Sequence, residues 1–350
     1  MPNTRPPWVS FRPAGSAGSL PAAARSRWSR VPRRSRPPET HSVDKALWVV
    51  RDKITSKNAI DDLMADATTR GIHDVVVQVR GRGDAYYRSA LEPRAEELKD
   101  DGFDPLEHLV RSGAAVGVRV HAWANVFFIW SSAAGTLPRS RDHIVHSHPE
   151  WLLRPDGVKH LDPVGGSDWE GIYTDPANVA AREHTLAVFA DIAKRYRVEG
   201  FHYDYVRYPQ VSYASSPHDH AAVTALVREG SERLRAARPG IVISAAVFPD
   251  PDVARDRVLQ RWAEWARAGW IDLLCPMAYS RDTVEVGRLL SKARAAAPRT
   301  RMWGGLRAYA GERALLRDQV RATQDAGCAG AILFSYDPAQ RDLLDMFSSS

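Results

Sequence analysis

From residue 46 onward the chain repeats one pattern, a short apolar run followed by a stretch of helical period. The runs begin at Ala46 (ALWVV), Asp74 (DVVVQVR), Gly117 (GVRVHAWANVF) and Val198 (VEGFHYDYVRYP). Four more begin at Ile241 (IVISAAVF), Ile271 (IDLLCPMAYS), Arg301 (RMWGGLRAY) and Gly330 (GAILFSYD), and the successive offsets are 28, 43, 81, 43, 30, 30 and 29 residues. A strand and a helix sharing about 30 residues return the next strand parallel to the last, since a parallel pair needs a crossover. Eight such units predict the α/β class in its closed form, a single (β/α)8 TIM barrel over residues 43–350. An open doubly wound sheet fits less well, because no Gly-rich dinucleotide turn follows the first run.

The helical stretches carry start signals. Asp175-Pro176 reads as an N-cap with a first-turn proline, and Val179, Leu186, Phe189, Ala193 and Tyr196 then read as one apolar stripe. Leu259, Trp262 and Ala266 read the same way in the fifth helix. The 81-residue interval predicts a long insertion at 128–174, after the third strand, on the face where barrel active sites are built. Its aromatics (Phe128, Trp130, Trp151, Trp169, Tyr173) suit a sugar-binding wall and equally suit a loop packed on itself.

Composition sharpens this reading chiefly through charge. The net +6 is concentrated in residues 1–42, where eight arginines oppose one glutamate, so the remainder carries −1. A nearly neutral body argues against nucleic acid as a partner, and only the basic tail speaks for it. That tail, rich in Pro, Ser, Ala and Arg, is expected to be disordered. It lacks the apolar stretch of a signal peptide, and Arg33-Arg34 is followed by Ser35-Arg36-Pro37-Pro38, unlike a twin-arginine signal, so localisation stays undecided. No apolar run of about 18 residues is present to span a membrane. Cys275 in a strand and Cys328 near a helix end read as two buried free thiols.

The strands carry polar residues where a barrel interior calls for Val, Ile and Leu. Side chains two apart share a face. His202 and Asp204 therefore face opposite to Phe201, Tyr203 and Tyr205; His121, Trp123 and Asn125 alternate with Ala122 and Ala124; Gln78 and Arg80 alternate with Val77 and Val79. Burying such groups costs energy unless they pair or line a wet pocket. A pocket at the C-terminal mouth is the expectation; the competing one is an internal network in which Arg80 neutralises Asp204.

At GFHYDYVRYP the sequence resembles bacterial glycosyl hydrolase-like family 10, a barrel family distinct from the xylanases of similar number. QVRGRGDAYYRSALEP, GFDPLEHLV, HAWAN, HPEWL, YTDPANVAAREH and FSYDP agree in order, covering about residues 45–340. The resemblance implies a glycoside hydrolase of bacterial cell-envelope or extracellular polysaccharides, amino-sugar-containing glycans included. It places Asp204 in the site, with Arg80, His121, Trp123, Asn125, His202 and Arg207 around it. Relatives often have two consecutive aspartates where this chain reads Asp204-Tyr205, so a second carboxylate from the fourth strand is missing. Relatives are also mostly exported.

Glycoside hydrolysis generally needs two carboxyl groups. Asp204 is expected as nucleophile or base, with Asp337 after strand eight and Asp84 after strand two as candidates for the second. Asp250 is a weaker candidate, and Asp282 reads as a helix cap with Glu285. Tyr279, Trp303, Arg307 and Tyr336, at other strand ends, suit stacking on sugar rings or bonding hydroxyls. An N-acetyl group on the substrate would relax the need for a protein nucleophile. No cofactor is expected. His143, His146 and His148 crowd the insertion without paired ligand spacing, so they read as loop histidines rather than a zinc site. Gly304-Gly305 reads as backbone crowding rather than a phosphate cradle. The partner is thus a polysaccharide or oligosaccharide. The alternatives are a catalytically silent glycan-binding barrel, a metal-dependent hydrolase, and nucleic-acid binding through the tail.

Overall fold

The computed structural model describes residues 44–99, 102–154, 161–164, 170–209 and 220–349. The expected tail, 1–42, and Trp169 lie outside the described residues. Eight parallel strands close a barrel: β1 (Asp44–Val49), β2 (Asp74–Arg80), β3 (Arg119–Asn125), β4 (Gly200–Asp204), β5 (Val242–Val247), β6 (Leu273–Pro276), β7 (Arg301–Arg307) and β8 (Gly330–Phe334). Each pairs with its sequence neighbours, and β1 closes on β8 with Trp48 opposite Phe334. The repeating spacing therefore reads out directly as topology. Among the described residues no helix is long and apolar enough to cross a membrane.

The interior is filled by rings rather than by branched aliphatics alone. Trp48, Trp123 and Trp303 share the inner cluster with Val76, Ala246, Leu273, Cys275 and Ile332, while a separate shell packs strands against helices. Large rings need small neighbours. A methyl group at Gly305 would stand 2.9 Å from the Trp48 ring and 2.7 Å from the Pro276 carbonyl oxygen, and one at Gly200 would overlap the His121 ring. Gly304-Gly305 is thus a packing feature. Cys275 and Cys328 are both buried and free.

Two helix readings are corrected. The helix after the insertion runs Val179–Arg195 and is capped by Asn178, whose side chain accepts from the Ala181 N–H; Asp175 instead closes the turn before it. Its buried face is Ala181, Leu186, Val188, Phe189, Ile192 and Ala193, while Val179 in the first turn is exposed. The fifth connection holds two helices, Pro251–Val258 and Trp262–Arg267. Leu259 ends the first with φ 56°, a left-handed C-cap that a continuous apolar stripe does not reveal. Asp282 caps Thr283–Ala296 as its spacing suggests.

The insertion forms a hairpin, Phe128–Trp130 against Ile172–Tyr173, with a short helix at Ile144–Ser147. Trp130, Ile144, Val145, Leu152 and Ile172 make a small core of their own. Trp151 stacks on His148 at 3.7 Å between ring centroids, and Phe128 stacks on Tyr205 at 4.7 Å. The described insertion aromatics therefore pack on their surroundings and do not line the cavity at the C-terminal ends of the strands.

Candidate functional site

A cavity of about 380 Å³ opens at the C-terminal ends of the strands. Half of its lining residues are aromatic: Trp48, Trp123, Tyr205, Phe248, Tyr279 and Phe334. Its charged groups are Asp204, Glu170 and Arg207.

Asp204 ends β4 on the inward face, as the alternation of the strand requires. The next residue, Tyr205, has φ 49°. A non-glycine residue in the left-handed region carries a cost on the order of 1 kcal/mol, which the surroundings must offset. Here the Val126 and Phe127 N–H groups donate to the carbonyls of Asp204 and Tyr205, and the Tyr205 ring is clamped between Phe128 and the Arg207 guanidinium. The sharp turn brings the Tyr205 N–H onto the Asp204 carboxyl at 2.7 Å and swings the Tyr205 ring into the cavity wall. Burial pushes the Asp204 carboxyl up to about 6. The Tyr205 N–H, Arg207 and the Trp123 indole oppose that rise, and nearby Glu170 adds to it.

Glu170 is the residue that sequence reasoning missed. It precedes the second hairpin strand, in an irregular stretch where neither strand nor helix period assigns a face. Arg207 forks across both its oxygens, at 2.8 and 2.9 Å, and the Tyr173 hydroxyl donates to it at 2.8 Å. Arg207 itself is buried, its guanidinium lying over Tyr205 and Phe248. The insertion thus delivers to the cavity a carboxylate that the fourth strand, reading Asp204-Tyr205, does not supply.

Of the residues expected at the site, Asp204, Trp123, Arg207 and Tyr279 share this cavity. Others lie elsewhere. Arg80 is fully buried and pairs with Glu92 at 2.6 Å, not with Asp204, while donating to the carbonyls of Asn125 and Val126. His121 lies lower in the barrel, bonded to Asp74 at 3.0 Å and edge-on to Trp303. Trp303 donates to Asp44 at the N-terminal end. His202 sits beneath the cavity floor, accepting from the Trp48 indole at 3.1 Å and bonded to the Ser244 hydroxyl at 2.8 Å; burial pushes it down to about 3, so the ring is neutral. Asn125 is buried behind Trp123.

The proposed second carboxylates also lie outside the cavity. Asp84 is buried beside Arg82, whose backbone N–H it accepts at 2.9 Å, and burial raises its carboxyl. Asp337 caps the turn Pro338–Gln340 and lines a separate hollow of about 260 Å³ with Lys53, Arg307 and Tyr336. Phe334 borders both hollow and cavity. The Tyr336 hydroxyl donates to Asp66. Asp250 caps a helix and pairs with Lys292. His143, His146 and His148 each have a local partner: the Arg82 carbonyl, the Pro138 carbonyl and Glu150.

The family described as glycosyl hydrolase-like 10 matches residues 40–222. A curated relative, glycosyl hydrolase YngK of Bacillus subtilis (strain 168), is 24% identical over 62% of this chain and 48% of its own length. Glycosyl hydrolase DigH of Escherichia coli (strain K12) is 25% identical over 54% of this chain and 44% of its own. The chain therefore spans about half the length of the curated relatives it matches. Among solved structures, the glycoside hydrolase domain of PgaB (BpsB) from Bordetella bronchiseptica superposes with a TM-score of 0.61 at 15% identity, covering 88% of this chain and 100% of that one. Alpha-L-fucosidase isoenzyme 2 from Paenibacillus thiaminolyticus gives 0.62 at 15% identity, covering 88% and 49%. At such identities the superpositions speak for the barrel alone.

Proposed function

The chain belongs to the glycosyl hydrolase-like 10 family, and from that premise we propose that it is a glycoside hydrolase with Asp204 as its general acid. Its substrate is an O-glycosidic bond of a bacterial cell-envelope or extracellular polysaccharide, one that contains amino sugars. The observation that carries this reading is the pair of carboxyls in one aromatic-walled cavity, each in a different electrostatic setting. Asp204 has little to offset its burial and retains its proton at mildly acidic pH; Glu170 is gripped by a guanidinium. Pairs of acids whose surroundings differ in this way divide into acid and charge-bearing partner.

In this reading a sugar ring stacks on the aromatic wall, and the Asp204 carboxyl gives its proton to the leaving glycosidic oxygen as the C–O bond breaks. The sequence alone favoured Asp204 as nucleophile or base; a raised proton affinity suits the acid better. Glu170, kept in place by Arg207 and Tyr173, offsets the positive charge that develops at the sugar, or orients the group that attacks it. An N-acetyl substituent could be that group, with water then opening the cyclic intermediate. The largely apolar wall has room for such a methyl-bearing substituent.

Mass analysis of products after incubation with peptidoglycan glycans and a panel of bacterial polysaccharides tests the proposal. Wild type should release new saccharides from at least one of them. Saturable binding with no released product from any glycan that binds would replace the hydrolase with a silent binding barrel.

A further inference from the structure

We propose that the hollow beside the cavity is a second sugar-binding subsite, so that the substrate is held as a chain crossing Phe334. The inference rests on the reading of the cavity as a glycan site, and it names the form of substrate that site takes.

The hollow encloses about 260 Å³ and shares Phe334 with the cavity. Pockets that enclose a whole small ligand run to about 300–1,000 Å³, so this one suits a single unit of a longer ligand. The Phe334 ring between them is half-buried and rests on Trp48 and Tyr279, at 6.2 and 5.8 Å between centroids. Three segments meet around the hollow: the turn Arg51–Ile54 after β1, the end of β7 and the turn after β8. Backbone bonds tie them together. The Tyr336 N–H donates to the Trp48 carbonyl at 2.9 Å, and the Ala308 N–H donates to the Phe334 carbonyl at 2.7 Å. A site held in this way is formed before its ligand arrives.

The polar groups of the hollow balance in charge. Asp52 and Asp337 offer acceptors, and Lys53 and Arg307 offer donors. Balanced charge selects no ionic ligand, whereas donors beside acceptors match vicinal hydroxyls, each of which both donates and accepts. Capacity for such bonds remains. Asp337 takes the Ala339 N–H on one oxygen and Gln340 Nε2 on the other, both at 3.0 Å, which leaves each oxygen a lone pair. Arg307 is exposed and forms no ion pair among the described residues; its guanidinium lies 5.9 Å from the centre of the Tyr309 ring. Phe334 adds an apolar surface for the C–H face of a sugar ring. The ligand is therefore an uncharged sugar unit bound through its hydroxyls, next in the chain to the unit in the cavity. Asp337 and Arg307 thus bind that unit and take no part in breaking the bond.

The test is a ladder of oligosaccharides of increasing length, made from peptidoglycan glycan and from each polysaccharide of the panel. Binding is followed by calorimetry, on wild type where the saccharide survives and on Asp204→Asn where it is cleaved. Affinity should rise about tenfold at one step of length and then level off. Arg307→Ala and Asp337→Ala should each remove most of that step, while shorter saccharides bind and react as they do with wild type. If Asp337→Ala loosens its turn, Arg307→Ala alone decides. Affinity that is absent or flat with length, or a step that survives in the folded variants, overturns the inference. A protein that cleaves glycan without the step loses only this inference; one that shows the step and its loss in the variants but cleaves nothing loses only the hydrolase reading.

Discussion

Two aspartates enter the same barrel at opposite ends and meet opposite surroundings. Asp74 opens β2, with Arg119 across both of its oxygens and His121 on one of them. Burial would raise it, but those hydrogen bonds and charges together bring it down to about 2. Asp204 closes β4 with one backbone N–H on its carboxyl, and burial carries it to about 6. Both are acids of a barrel rich in histidine and tryptophan. One is held by charged and hydrogen-bonding partners and the other is left with few, and what separates them is the supply of donors rather than depth.

The largest effect that tests this contrast is on turnover. Asp204→Asn should fold and lower glycan cleavage at least a hundredfold, about 2.7 kcal/mol of barrier; near-normal rates would remove Asp204 from the chemistry. Asp74→Asn should do the reverse. Removing one member of a buried pair leaves its partners uncompensated, and with Arg119 half-exposed and able to find water, urea unfolding should show a loss of about 2–3 kcal/mol. Its kcat should stay within a few-fold of wild type. Glu170→Gln should cost about tenfold in kcat/KM, roughly 1.4 kcal/mol, because Arg207 keeps a hydrogen-bond acceptor but loses its counter-charge. A loss as deep as that of Asp204→Asn would make the two carboxyls equal partners.

The smallest effect is on stability against pH, and its sign differs between the two acids. Asp204 binds its proton more tightly folded than unfolded, so its contribution falls as pH rises from about 4 to about 6. Asp204→Asn should therefore unfold less readily than wild type at pH 7, by about 1 kcal/mol, and gain nothing at pH 4. Asp74 binds its proton less tightly folded, so its contribution is present at neutral pH and fades as pH falls from about 4 towards 2. Parallel melting curves of the two asparagine variants across pH 3–7 check both slopes.

The strand spacing made the barrel legible, since 30-residue repeats and period-two alternation are properties of the backbone. The same alternation put His202 and Asp204 inside and Phe201 and Tyr203 outside. It failed at Tyr205, because the strand ends there and a left-handed residue turns the ring inward. Arg80 looked like a counter-ion for Asp204 because its true partner, Glu92, lies in an irregular stretch with no period to reveal its direction. Glu170 was hidden for the same reason. The insertion could be located from its length, but not which of its side chains would reach the cavity. Its aromatics suited a sugar wall and a self-packed loop equally; the described ones pack on their surroundings, and the aromatics that line the cavity come from the strand ends and the turns after them.

The most direct measurement is a crystal structure of Asp204→Asn soaked with an oligosaccharide that wild type cleaves. The account predicts a sugar ring against Trp123 and Tyr279, with its glycosidic oxygen about 2.6–3.2 Å from the side chain at position 204. A saccharide bound on another face of the barrel, with the cavity at the strand ends holding only water, would contradict it.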